Sequence, residues 1–142
     1  MKVMTKDEYR NFLLEGTKTG KLATVRSDGR AHVVPIWYHI EGDTIIFTTG
    51  GESVKFKNMK RDPRACITVD DQTPPYSYIM IEGTASFSEG PEELLYWATR
   101  IGGRYMGEDQ AEAYGKRNST PGEVLVRIKP SWVSAHKDVA EW

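Results

Sequence analysis

Apolar positions along this 142-residue chain recur in two rhythms, a helical one near the N-terminus and again past the middle, and an alternating one elsewhere. Tyr9, Phe12 and Leu13 sit at helical spacing behind Thr5-Lys6-Asp7-Glu8, a capping box that sets a helix start, and Gly16 marks its stop. Lys21 to Arg26 and Ala31 to Ile40 are β-branched and apolar runs joined by Ser27-Asp28-Gly29-Arg30, where Asp-Gly predicts a tight hairpin. Glu41-Gly42-Asp43 then turns the chain into Thr44 to Thr49, so the first three strands are expected as an antiparallel meander.

A short helix follows, capped by Ser53 and ended at Asp62-Pro63, because the residue before a proline is pushed out of the helical region. Ala65 to Asp70 reads as a strand and Thr73-Pro74-Pro75 as a rigid turn. Tyr76 to Phe87 is a long strand with Gly83 marking a bulge or a close backbone approach. Glu89-Gly90-Pro91-Glu92-Glu93 starts a helix that carries Leu94, Leu95, Trp97, Ala98 and Ile101, with its end expected at Gly102-Gly103. Asp109 to Arg117 forms a further short helix, Ser119-Thr120-Pro121-Gly122 breaks it, and Glu123 to Lys129 alternates as the last strand. About six strands and three or four helices result, mainly β, in an antiparallel barrel or sandwich with helices at its rim.

Composition narrows this to one domain over residues 1–142, since 39% hydrophobic content is ordinary for a globular chain and no linker or repeat divides it. A net charge of -1 argues against a general nucleic-acid binder. Cys66 is the only cysteine, which excludes an internal disulfide. With no signal segment and no apolar run long enough to cross a bilayer, the expectation is a cytoplasmic protein with no membrane partner.

The most informative chemistry lies on the capped helix. Ser53 leaves backbone N–H groups facing outward at the positive end of the helix dipole, after Gly50-Gly51, so a phosphate oxygen could accept there. Lys57, Lys60, Arg61 and Arg64 recur at i, i+3, i+4 and i+7 and share a face, with Lys55 in the first turn pointing elsewhere. The alternative is a basic, solvated helix surface. His32, His39 and His136 are scattered over two strands and a tail, so no metal site is expected, and Cys66 reads as a small core residue. No Gly-x-Ser-x-Gly turn and no Gly-x-Gly-x-x-Gly fingerprint is present. His32-Val33-Val34-Pro35-Ile36-Trp37-Tyr38 carries a proline inside a strand pattern; a flat ligand could lie there, bordered by Trp37 or Tyr38 and the Thr48-Thr49 hydroxyls, or the aromatics could pack a barrel wall.

The order of Leu22-Ala23-Thr24-Val25, Asp28-Gly29, His32 to Trp37, Phe47-Thr48-Thr49, Ser53-x-Lys55-x-x-Asn58, Arg61-Asp62-Pro63-Arg64-Ala65 and Ile81-Glu82-Gly83 resembles the pyridoxamine 5'-phosphate oxidase-like split-barrel flavin-binding superfamily. Within it the chain is most similar to the small split-barrel coenzyme F420-dependent oxidoreductases. The resemblance extends to Arg104-Tyr105-Met106-Gly107 and Val126-Arg127-Ile128-Lys129-Pro130.

That resemblance implies a six-stranded antiparallel split barrel of the FMN-binding type, Greek-key-like, in a homodimer with shared cofactor sites. It implies that the ring of F420, or alternatively of FMN, lies along His32, Val33, Val34, Pro35 and Ile36 and is flanked by Phe47, Thr48 and Thr49. Ser53, Lys55 and Asn58 would then contact the phosphate or phosphodiester, with Lys57, Lys60 and Arg61 toward the polyglutamate tail that F420 carries beyond its phosphate. Tyr76 and Tyr78 match positions near the open ring face, where a small-molecule acceptor would bind; no catalytic residue is implied. A C-terminal extension with the substrate-binding Arg and His of authentic pyridoxamine phosphate oxidases is not expected, so vitamin B6 oxidation is not the activity implied. The implied activity is hydride transfer from reduced F420 to an organic acceptor. Two alternatives stand beside it, an FMN-dependent oxidoreductase and a non-catalytic protein that holds a flavin, haem-like or other planar anion.

Overall fold

A computed structural model describes residues 1–141. The chain is mainly β, an antiparallel sheet of eight strands with flanking helices. In chain order the elements are β1 (Lys2–Val3), α1 (Lys6–Leu14), β2 (Gly20–Val25), β3 (Ala31–Ile36), β4 (His39–Glu41), β5 (Thr44–Gly50) and α2 (Val54–Arg61). Then come β6 (Arg64–Asp71), β7 (Ser77–Ser88), α3 (Pro91–Met106), a 3-10 turn at Glu108–Gln110, α4 (Ala111–Arg117) and β8 (Glu123–Lys137).

The sheet order is β3-β2-β6-β7-β8-β5-β4, with β1 added on β8. Two strands exceed the expected six. One is β1, a two-residue pairing of Lys2 with Lys137 and Val3 with His136. The other arises because the run from Ala31 to Ile40 is not continuous: β3 ends at Ile36, the chain leaves the ladder at Trp37-Tyr38, and β4 begins at His39. The expected meander is corrected by the same break. β3 pairs β2, whereas β4 and β5 form their own hairpin at the opposite end of the sheet path, with β5 against β8. Proline 35 cannot donate to a ladder, and Tyr38 sinks into the core with its hydroxyl donating to the Leu13 carbonyl at 2.5 Å.

One apolar cluster gathers Leu22 and Ile36 from one end of the sheet, Ile67, Val69, Ile79 and Ile81 from its middle, and Ile40, Ile45 and Phe47 from the other end. Strands so far apart in the ladder can share a cluster only if the sheet curls around it, which is the split-barrel form. Alternation along each strand does this, because successive side chains face opposite sides of the sheet. On the outer side Ile46 and Leu125 meet Leu94, Trp97 and Ile101 of α3 in a second cluster, joined by Trp37 and Tyr105.

Two further expectations need correction. α3 does not stop at Gly102-Gly103 but runs to Met106, ending at Gly107 with φ 102°. The glycine pair serves a helix crossing: a Cβ on Gly102 would stand 2.5 Å from the Tyr114 Cβ, and one on Gly103 3.1 Å from the Ala111 Cβ. β8 runs to Lys137 rather than Lys129, so His136 lies in a strand and not in a tail. The expected bulge is present between Glu82 and Gly83, where a Cβ at position 83 would meet the Lys129 carbonyl oxygen at 2.5 Å. Among the described residues no helix is long and apolar enough to cross a membrane.

Candidate functional site

The hydroxyl of Ser53 accepts from the Phe56 backbone N–H at 3.2 Å, the cap that the sequence predicts for α2, and it lies 2.9 Å from the Thr49 hydroxyl. The end of β5 and the start of α2 are thereby fixed to one another, and Lys55 in the first turn is aimed into a cleft. Pro35, Ile36 and Trp37 at the end of β3, Thr48 to Gly50 of β5, Lys55, Ala98 and Ile101 of α3, and Arg117, Asn118 and Glu123 line this cleft of about 560 Å³. Such a volume suits a cofactor-sized ligand. Apolar Ile36, Ala98 and Ile101 lie with the Trp37 ring, while Lys55, Arg117 and Glu123 bring charge.

Trp37 is held rather than free. Its ring stacks on Tyr105 at 5.3 Å with 2° between planes and tilts against Tyr114. Tyr105 in turn donates its hydroxyl to the Lys18 carbonyl at 2.7 Å and accepts from the Tyr38 N–H at 3.3 Å. Arg104 lies over the Tyr38 and Tyr105 rings and donates to the Tyr38 carbonyl at 2.7 Å and the Leu13 carbonyl at 2.8 Å. Two of these contacts satisfy the Tyr38 N–H and carbonyl at the break between β3 and β4, and the others tie that break to the end of α1 and the loop after it.

Lys55 is half-buried, and burial lowers its ammonium from the ordinary lysine range, with Glu123 pulling it back. Burial raises the Glu123 carboxyl, and Lys55 and then Arg117 oppose that rise. A partly desolvated lysine facing open space is a strong partner for an arriving anion, because a charge-assisted bond formed there is poorly screened.

Of the residues singled out from sequence, Pro35, Ile36, Trp37, Thr48, Thr49, Gly50 and Lys55 converge on this cleft, and the other candidate cofactor and acceptor contacts lie outside its lining. His32 sits on β3 with a buried, unpartnered Nδ1; Val33 is exposed and Val34 half-buried. Phe47 is wholly in the barrel core. Asn58 is buried and turned inward, donating to the Thr24 hydroxyl at 3.1 Å. Arg61 donates to the Val25 carbonyl and to the Asn58 side-chain oxygen at 3.4 Å, so these two residues bind α2 to β2. Lys57 is exposed and pairs with Glu52 at 3.2 Å, and Lys60 lies over the rings of Phe56 and Phe87 at 6.0 and 5.8 Å. The shared basic face is corrected at its far end, because α2 stops at Arg61 and Arg64 opens β6, paired with Asp62 at 2.7 Å.

Tyr76 and Tyr78 line a different cleft with Asp70, Asp71, Gln72, Ser77 and Val139, which shares no residue with the Lys55 cleft. Burial, with Glu82 next, pushes the Cys66 thiol up, which leaves it a poor nucleophile. Sequence reasoning missed Arg117, Asn118 and Glu123 as cleft residues. They flank the Ser119-Thr120-Pro121-Gly122 breaker, and their placement depends on α4 folding back onto α3, for which Gly102, Gly103 and Gly115 at the crossing were the available signal.

A family model described as pyridoxamine 5'-phosphate oxidase matches residues 5–137, nearly the whole chain. The chain belongs to the pyridoxamine 5'-phosphate oxidase family. Members of this family typically bind flavin. Among solved structures, a conserved hypothetical protein from Mycobacterium tuberculosis is similar at 28% identity with a TM-score of 0.84, over 96% of this chain and 86% of that one. An F420 reductase is similar at 28% identity with a TM-score of 0.69, over 87% of this chain and 94% of that one. The heme storage protein of Vibrio cholerae shares the fold at 17% identity and a TM-score of 0.73, over 99% and 100% of the two chains. The same fold is thus shared with an F420 reductase and with a heme storage protein.

Proposed function

We propose that the protein is a coenzyme F420-dependent oxidoreductase that reduces a small organic acceptor. The observation that carries this reading is the half-buried Lys55 in a cleft that sets the apolar and aromatic Ile36, Trp37, Ala98 and Ile101 beside the polar Thr48, Thr49 and Asn118. That donor set fits a ligand with a planar ring and a phosphate. Ile36, Trp37, Ala98 and Ile101 offer the ring an apolar slot, Thr48 and Thr49 border it, and Lys55 with the Ser53-capped helix start receives the phosphate. The bound deazaflavin would supply hydride; the chain's own residues orient it and keep water from the ring face.

Beyond the phosphate, an anionic tail would pass the exposed Lys57 and Lys60 of α2, whereas Arg61 is already engaged by Val25. The similarity to an F420 reductase supports this choice of cofactor. A homodimer is part of the reading. Val33, Trp132 and Val133 are exposed at 60%, 48% and 40%, and a cleft of about 590 Å³ runs along the outer face of β2, β6 and β7 past Ala23, Val25 and Cys66. Such a face is suited to a second copy, which would also bring its Tyr76 and Tyr78 region toward a shared acceptor site.

Titration of the purified protein with F420 and with FMN, followed by fluorescence, tests the reading. Micromolar F420 binding is expected, and tight FMN binding without F420 binding would overturn it. The second reading, an FMN-dependent enzyme, is favoured by the oxidase family to which the chain belongs, and a yellow protein as isolated would support it. Equilibrium sedimentation showing a stable monomer at micromolar concentration would remove the shared site.

A further inference from the structure

Lys55, Arg117 and Glu123 are the charged residues that line the cleft, and each comes from a different element: the first turn of α2, the last residue of α4 and the first residue of β8. All other lining positions, from Pro35 to Asn118, are apolar or neutral. Two cations and one carboxylate leave the cleft with a single net positive charge. The backbone that carries this carboxylate is fixed by the ladder, since Glu123 pairs with Gly50 of β5 and its backbone N–H donates to the Thr120 carbonyl at 3.0 Å. Arg117 is oriented by Tyr114, whose ring lies 5.5 Å from the guanidinium carbon.

We propose that Glu123 sets which phosphate the cleft accepts: by offsetting one of the two cations it matches the site to a singly charged phosphodiester and disfavours a doubly charged phosphate monoester. This inference rests on the cofactor reading above and adds to it a residue that chooses between its two candidate ligands. A phosphate monoester carries a charge of about -1.5 to -2 near neutral pH, because its second ionisation lies near 6. A diester carries one. In a partly dehydrated cleft the diester leaves no charge uncompensated, whereas the monoester leaves roughly one, beside a carboxylate of the same sign. Lys55 from α2 and Arg117 from α4 are the groups that hold Glu123 ionised; β5 and α3 present Thr48, Thr49, Ala98 and Ile101, which carry no charge. A monoester could enter by driving a proton onto Glu123, so its binding should strengthen as the pH falls.

Dissociation constants for F420 and FMN, measured with the full chain and with Glu123→Gln and Arg117→Met at low salt, test this. Relative to F420, FMN binding should improve roughly tenfold in Glu123→Gln, the worth of one poorly screened charge contact. Arg117→Met should shift the ratio the opposite way. Between about pH 8 and about pH 6 the FMN affinity of the parent should rise more than that of Glu123→Gln, since both share the titration of the phosphate but only one titrates position 123. Thermal melts establish folding, and the exposed Arg117 carries the test if Glu123→Gln does not fold. Cofactor binding with an unmoved F420-to-FMN ratio in the folded variants overturns this inference alone. Binding of neither cofactor by the parent overturns the cofactor reading, and the inference with it.

Discussion

Thr49 and Ser53 are joined hydroxyl to hydroxyl at 2.9 Å, so the last turn of backbone before α2 is closed by side chains from both sides of the Gly50-Gly51 pair. Gly50 itself meets nothing within 4 Å where a Cβ would stand, which leaves open space beside the helix start. Ser53→Ala removes both the cap and this link. A loss of about 0.5–2 kcal/mol in stability is expected from the cap, read by chemical denaturation, together with weaker cofactor binding because Lys55 loses its fixed origin.

The crossing of α3 and α4 makes a second prediction. Gly102 faces Tyr114, and Gly115 lies against the Thr99 backbone and side chain, so neither has room for a methyl group. Gly102→Ala and Gly115→Ala should each cost about 1–3 kcal/mol by overpacking, and Gly50→Ala, in open space, should be close to neutral. Denaturation midpoints of the three variants check the contrast. Because α4 carries Arg117 and Asn118 into the cleft, the two crossing variants should also weaken cofactor binding.

Much of the fold was legible because its signals are local. Thr5 and Glu8 form the expected capping box, Asp28-Gly29 the hairpin, Ser53 the cap and Gly83 the bulge. What failed were features that tertiary packing decides. Gly102-Gly103 reads as a stop by propensity, yet the helix continues because Tyr114 and Ala111 need the backbone close. The Ala31 to Ile40 run reads as one strand, and only the burial of Tyr38 and its bond to Leu13 reveal the break. In the site, Lys55, Thr48 and Thr49 were legible from spacing and resemblance. Arg117 and Glu123 were not, because no short-range pattern records that the end of α4 and the start of β8 meet Lys55. Asn58 and Arg61 share the helix with Lys55, but inward-facing helical positions carry them to β2.

Acid should loosen the N-terminal helix. Glu8 bonds Lys137 of β8 and the Thr5 N–H, and the lysine contact, followed by that backbone bond, holds its carboxyl down at about 2 from an ordinary 4.5. A carboxyl depressed in the folded state contributes stability that is fully present above its unfolded value and is lost as the pH falls through its folded value. The α1-to-β8 contact is therefore expected to persist above about 4.5 and to disappear toward about 2. Glu8→Gln should flatten the dependence of stability on pH across that interval. Equal slopes for parent and variant would show that the pair contributes nothing.

The central claim is that Lys55 receives the phosphate of a ring-bearing cofactor, and the dissociation constant of F420 for folded Lys55→Ala against that for Lys57→Ala tests it most directly. Lys55 is half-buried in the cleft, while Lys57 is exposed and paired with Glu52. Loss of a charge-assisted bond in the cleft should cost about 1.5–3 kcal/mol, roughly ten- to a hundredfold in affinity, and persist in high salt. Loss of the exposed lysine should cost less than about 1 kcal/mol and vanish in high salt. A folded Lys55→Ala protein that binds F420 and FMN as tightly as the parent would contradict the account and return α2 to a basic, solvated surface helix.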